Sequence, residues 1–197
     1  CPVPLGMLVA WALLVHPGLG LIPEAFASPV VFPAEWIGNI ERSDAKELKE
    51  PSGICFHLER GTLFLVGDNG DVAEFRTDGT RIKERRVQKA DFEGITHDPS
   101  TGLLYVAVEG KDNILELDPD NLKVLREFNI PRSFEGRKVM KKGGSGIEAI
   151  TFVPDPDHPE GGTFVVANQS FNLEDEEDRS VLIEIVVPLR SDREKVE

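Results

Sequence analysis

Three times along this chain the same succession recurs: a short apolar run next to a small residue, a polar turn, a second apolar run ending in polar residues, and a third run. The first pass covers residues 51–61, 63–69 and 72–75, the second 92–102, 103–109 and 114–117, and the third 147–153, 163–168 and 181–185. Short runs rich in β-branched and aromatic residues, bounded by Gly, Pro, Asp and Asn, read as strands and turns. Fourth strands fit residues 83–88 and 122–128. Four antiparallel strands in roughly 40 residues cannot bury their apolar faces alone and must stack on their neighbours, as a β-propeller blade does. The sequence therefore predicts an all-β fold, a β-propeller of four-stranded antiparallel blades. Blade 1 falls at about 51–90, blade 2 at about 91–131, and an incomplete blade 3 at about 146–197. No 3.6-residue period is long enough for a core helix, and residues 44–49 offer at most one short turn. Propellers carry four to eight blades, so three blades and the lack of an initiating Met are read as part of a longer chain.

Composition narrows the partners. Among 197 residues, 35 Asp and Glu face 22 Lys and Arg, a formal net charge of −13. That excess opposes sequence-independent binding to nucleic acid, which needs clustered cations, and favours a divalent cation as partner. The two cysteines, Cys1 and Cys55, make neither a disulfide framework nor a structural zinc site, and Cys55 in its apolar run reads as a buried, inert thiol.

Ahead of the repeats, residues 5–22 carry no formal charge, and Ala25, Phe26 and Ala27 form a small-x-small cleavage pattern before Ser28. The expectation is a secretory signal peptide over 1–27, incomplete at its start, and an exported mature domain over 28–197: periplasmic, cell-envelope or secreted. A retained membrane anchor is the rival reading. His16 and Pro17 interrupt the apolar run and argue against it, so no membrane span is expected in the mature chain.

Hairpin arithmetic locates a site. Residues facing each other across an antiparallel hairpin are equidistant from its turn. Ser52 and Asp68 mirror about Arg60, Glu93 and Glu109 about Thr101, and Glu148 and Asn168 about His158. If the first strand of each blade is the inner one, all six side chains gather on one face near the central channel. They offer oxygen ligands only, which suits calcium, with magnesium as second choice, whereas zinc would call for His or Cys. The plainer reading is that these residues cap turns and accept backbone hydrogen bonds. The histidines do not suit zinc: His16 lies in the signal segment, His57 and His97 within or beyond inner strands, and His158 in a turn. The acidic run 174–178 reads as a solvated loop, and Arg137, Lys138, Lys141 and Lys142 as a basic linker. Ser52 and Ser145 each precede Gly, but neither lies in a GxSxG motif.

Residues 50–54 (EPSGI), 68–70 (DNG), 92–95 (FEGI) and 146–150 (GIEAI) resemble the SdiA-regulated family of exported β-propeller-like proteins. They are similar, more loosely, to esterase-like phytase and strictosidine-synthase-type propellers. The resemblance runs from about Trp36 to Val187. It implies a five- or six-bladed propeller, export and calcium binding, but no reaction. Two functions follow. The first is a non-catalytic exported module in which calcium orders the channel face and the propeller surface binds a small molecule or cell-envelope partner. The alternative is a metal-dependent hydrolase of the phosphoesterase, esterase or lactonase type. There Glu93 or Glu148 would hold the metal and Glu109 or Asp68 would act as base.

Overall fold

The structure is a computed structural model, and it describes residues 48, 50–134, 136–140, 146–169 and 180–191. The chain divides into two compact units, Cys1–Trp36 and Ile37–Glu197, and all described residues belong to the second. The signal-peptide segment, residues 44–47 and 49, and the acidic run 174–178 lie outside the described residues, as do Lys141, Lys142 and Ser145. Among the described residues no helix is long and apolar enough to cross a membrane.

The fold is all-β. The first sheet is a meander of β1 (Pro51–His57), β2 (Thr62–Gly67), β3 (Asp71–Arg76) and β4 (Arg81–Arg86). The second repeats it with β5 (Asp91–His97), β6 (Leu104–Glu109), β7 (Asn113–Leu117) and β8 (Val124–Asn129). A two-residue ribbon, β9 (Ser133–Phe134) and β10 (Arg137–Lys138), occupies part of the expected linker. The third sheet pairs β11 (Ile147–Pro154), β12 (Gly162–Asn168) and β13 (Leu182–Ile185). Each neighbour is antiparallel, and β5 lies beside both β1 and β11, so the first strand of every sheet is the one nearest the next sheet's first strand. That is the arrangement of propeller blades.

The blades are held by apolar layers between them. Phe64 and Val66 of β2 pack with Phe92, Ile95 and Val106 between blades 1 and 2. Tyr105, Ile150, Phe152 and Phe164 fill the space between blades 2 and 3, with Tyr105 edge-on to Phe164 at 4.9 Å. Each such side chain, fully buried, contributes ~1.5–3 kcal/mol. Hydrogen bonds add register: the Phe152 N–H donates to Thr96 Oγ1 at 3.1 Å, across the same boundary.

Candidate cation site

The first strands come together where they begin, and small residues allow it. A Cβ on Gly53 would lie 2.9 Å from the carbonyl oxygen of Glu93 and 3.0 Å from Gly94 Cα. One on Gly94 would lie 2.9 Å from the Ile150 nitrogen and 3.3 Å from Ala149 Cα. Just before each of these positions the pairing slips by one residue. Pro51 faces Gly67 but Gly53 faces Val66; Phe92 faces Val108 but Gly94 faces Ala107; Ile147 faces Asn168 but Ala149 faces Ala167. Ser52, Glu93 and Glu148 are thus the extra residues of three β-bulges, devices that bend a strand and re-aim a side chain.

These bulges correct the hairpin arithmetic, which assumed unbroken register. Glu109 faces Asp91 rather than Glu93, Asn168 faces Ile147 rather than Glu148, and the Asp68 N–H bonds to the Glu50 carbonyl at 3.2 Å. Side chains from all three blades nevertheless interact. Asp68, Asp91 and Glu93 can each place a carboxylate oxygen within 4.8 Å of the others. Asp91 faces Glu109 across β5 and β6, and Asp91, Glu93, Glu109 and Glu148 lie close enough to shift one another's proton affinities. Asp91, Glu93, Glu109 and Glu148 are half-buried, while Asp68 is exposed.

The crowding shows in the proton affinities. Burial, and then the charges of Asp91, Glu148 and Asp68, push Glu93 up to about 8. Asp91 is raised by burial and by Asp68 and Glu109. Glu109 is raised by burial and by Glu148, against a hydrogen bond from the Gly146 N–H that lowers it. Such a set either keeps protons at neutral pH or gives them up to a cation. One Asp91 oxygen, Oδ1, is buried without a hydrogen-bond partner, and Asp68, Asp91 and Glu93 together supply three of the six to eight oxygens that calcium takes. The donor set therefore fits a hard divalent cation and contains neither His nor Cys.

Two of the six expected residues are engaged elsewhere. Ser52 Oγ donates to the Phe92 carbonyl and so ties blade 1 to blade 2. Asn168, buried in β12, donates from Nδ2 to the Val139 carbonyl at 3.0 Å and accepts the Val181 N–H at 2.6 Å, which makes it a brace for the segments that precede β11 and β13. Asp91 is the residue that sequence reasoning missed. Its signal was present: an acid stands two positions before the bulge residue in both of the first two repeats, at Glu50 and Asp91.

Adjoining blades whose bulged first strands bring carboxylates together define a β-propeller protein with an acidic, cation-suited site. The chain belongs to the phytase-like family described as esterase-like activity of phytase, whose model matches residues 37–192. It is 32% identical over 91 residues to AlbF of Bacillus subtilis, a candidate zinc protease by its name, covering 46% of this chain and 21% of that protein. An uncharacterised protein of Sulfolobus acidocaldarius is 26% identical over 119 residues, covering 56% of this chain and 42% of that one. Among solved structures, the Kuenenia stuttgartiensis hydrazine synthase aligns with a TM-score of 0.44 at 21% identity, over 68% of this chain and 33% of that one. The Myxococcus xanthus glutaminyl cyclase aligns with a TM-score of 0.47 at 16% identity, over 62% and 52%. The chain spans less than half the length of the curated relatives it matches.

Proposed function

We propose that this chain carries the cation-binding part of a divalent-metal-dependent ester hydrolase, with calcium as the resident ion and phosphoesters as the first substrate class to test. The convergence of Asp68, Asp91, Glu93, Glu109 and Glu148 carries the reading, and membership of an esterase-like family supports its hydrolytic half. Asp68, Asp91 and Glu93 would hold the ion, with Glu148 beside them. When bound, the ion would polarise a substrate oxygen. Glu109, whose proton affinity is raised by burial and by Glu148, is suited to take a proton from water. Export, inferred from residues 5–27, would deliver the protein to a calcium-rich compartment, and a closer kinship with the SdiA-regulated family rests on the same repeat motifs.

A second reading, a binding module without turnover, is favoured by one observation. Among the described residues, none of the ion pairs involves these five carboxylates, so no Arg or Lys is paired with the cluster to clamp a phosphate. Calorimetric titration with calcium and magnesium, run beside a panel of phosphoesters, carboxyl esters and lactones, separates the two. Hydrolysis that needs the ion and is lost in both Asp91→Asn and Glu93→Gln supports the enzyme. Tight calcium binding with no ester cleaved supports the module. Protein that binds neither ion removes the site.

A further inference from the structure

The turns before the third strands of blades 1 and 2 differ in length, residues 68–70 against 109–112, but each ends on a residue with a left-handed backbone whose carbonyl ties down the segment after the fourth strand. In blade 1 the turn ends on Gly70, with φ +83°, and its carbonyl accepts the N–H of Val87, the first residue after β4, at 2.9 Å. In blade 2 it ends on Asp112, with φ +56°, and its carbonyl accepts the N–H of Ile130, the first residue after β8, at 2.9 Å. The position requires a left-handed backbone, which glycine adopts freely and an L side chain adopts at a cost. Blade 2 keeps an aspartate there, fully buried, so the backbone alone does not explain it.

Its carboxylate makes two kinds of approach. Oδ2 pairs with Arg132 Nε, and Arg132 Nη2 reaches the carbonyls of Gly110, at 3.5 Å, and Lys111, at 3.3 Å, the two residues that follow Glu109. Oδ1 is buried, has no hydrogen-bond partner, and lies 2.2 Å from where a Cβ on Gly146 would stand. The same point is 3.4 Å from Glu109 Cγ, and the Gly146 N–H donates to Glu109 Oε1 at 3.4 Å. Two residues later comes the Glu148 bulge.

We propose that Asp112 is a positioning residue for the carboxylate site: it confines the Arg132 guanidinium and seats Gly146, and so keeps Glu109 an unpaired anion beside the cation. This rests on the reading that the cluster takes a divalent ion. Without the Asp112 carboxylate, Arg132 keeps its two carbonyl anchors but loses its counter-charge. Glu109, one residue from those anchors, is then the nearby anion available to it, and pairing with Arg132 cancels the negative charge of Glu109 beside the cation, which the site then holds less well.

The test is calorimetric titration of the protein with calcium alone, beside melting curves in chelator. Asp112→Gly restores the residue that blade 1 uses, so melting without calcium should hold or rise, while calcium affinity falls about tenfold or more, the usual loss when a group that orients a ligand is removed. Asp112→Asn, which tolerates the left-handed backbone and nearly keeps the shape, should lose affinity as well. Removing the freed cation in Asp112→Gly/Arg132→Gln should restore it. Wild-type affinity in Asp112→Gly, or a loss that Arg132→Gln does not repair, would overturn the proposal. If the wild type binds no calcium, the site reading falls separately, and hydrogen exchange at the Gly146 amide decides: faster exchange in Asp112→Gly upholds the seat, and unchanged exchange overturns it.

Discussion

His97, on β5, stacks on buried His57 of β1 with ring centroids 4.6 Å apart. His57 Nε2 bonds to the Gly102 carbonyl at 2.9 Å, and its Nδ1 accepts the Arg60 N–H at 3.4 Å. His97 Nε2 is buried without a partner. Burial and then the adjacent His57 lower the proton affinity of His97, against the opposing pull of Asp98. A histidine whose pKa is lower folded than unfolded binds its proton more readily in the unfolded chain. Stability therefore stands in full above the unfolded value of about 6.5 and declines as pH falls below it. The equivalent residues in the other repeats are Phe56 and Phe152. His97→Phe should flatten the acid limb of a melting-temperature profile taken between pH 7.5 and 5, and an unaltered slope would exclude this residue as its source. At this scale the sequence was partly readable. The acids at Glu93 and Glu148 stood out by repetition, but the engagement of Asn168 by Val139 and Val181 depends on segments far along the chain, which local pattern cannot show.

At the level of elements, strands were legible because alternation of β-branched and turn-forming residues encodes them directly. The third-blade strands expected at 147–153, 163–168 and 181–185 lie at Ile147–Pro154, Gly162–Asn168 and Leu182–Ile185. The bulges were not legible, since one unpaired residue leaves composition unchanged and shifts only the register. Their companions were visible as Gly53, Gly94 and Ala149, and at the two glycines smallness has a purpose: neighbouring backbones fill the space a side chain would need. Gly94 has no left-handed φ, so substitution there tests packing alone. In Gly94→Val the new atoms would meet the Ile150 and Ala149 backbone, which cannot rotate away as a side chain can. Overpacking of this kind costs about 1–3 kcal/mol, and it would also separate β5 from β11 beside Glu93 and Glu148. Urea titration should show a lower midpoint, with weakened calcium binding in the protein that remains folded. A midpoint equal to wild type would mean that the close approach of these strands does not constrain the site.

Across the whole described domain, the repeat assigns a partner to surfaces that now face solvent. In blades 2 and 3, Ile95 and Ile150 point toward the preceding blade and join the apolar layers there. Their counterpart in blade 1 is Ile54, which is 60% exposed, with Phe56 beside it at 46%. On the far side of blade 3, Ala149, Thr151 and Val153 are exposed, at positions equivalent to Gly94, Thr96 and Asp98 of blade 2. Of these, Gly94 and Thr96 meet blade 3. By the repeat, the Ile54 face and the Val153 face match the two sides of one inter-blade boundary. Leaving a Phe or Ile in water forgoes ~1.5–3 kcal/mol that burial would return. The chain as it stands should therefore self-associate at micromolar concentration, with these faces in contact. Phe56→Lys places a charge at the centre of that boundary without touching the layer between blades 1 and 2, so it should return the protein to a monomer with its unfolding midpoint unchanged. Sedimentation velocity across a dilution series reads this directly. A wild-type chain that remains monomeric at every concentration, or association that Phe56→Lys leaves intact, would show that the exposed faces of β1 and β11 are compatible with water on their own.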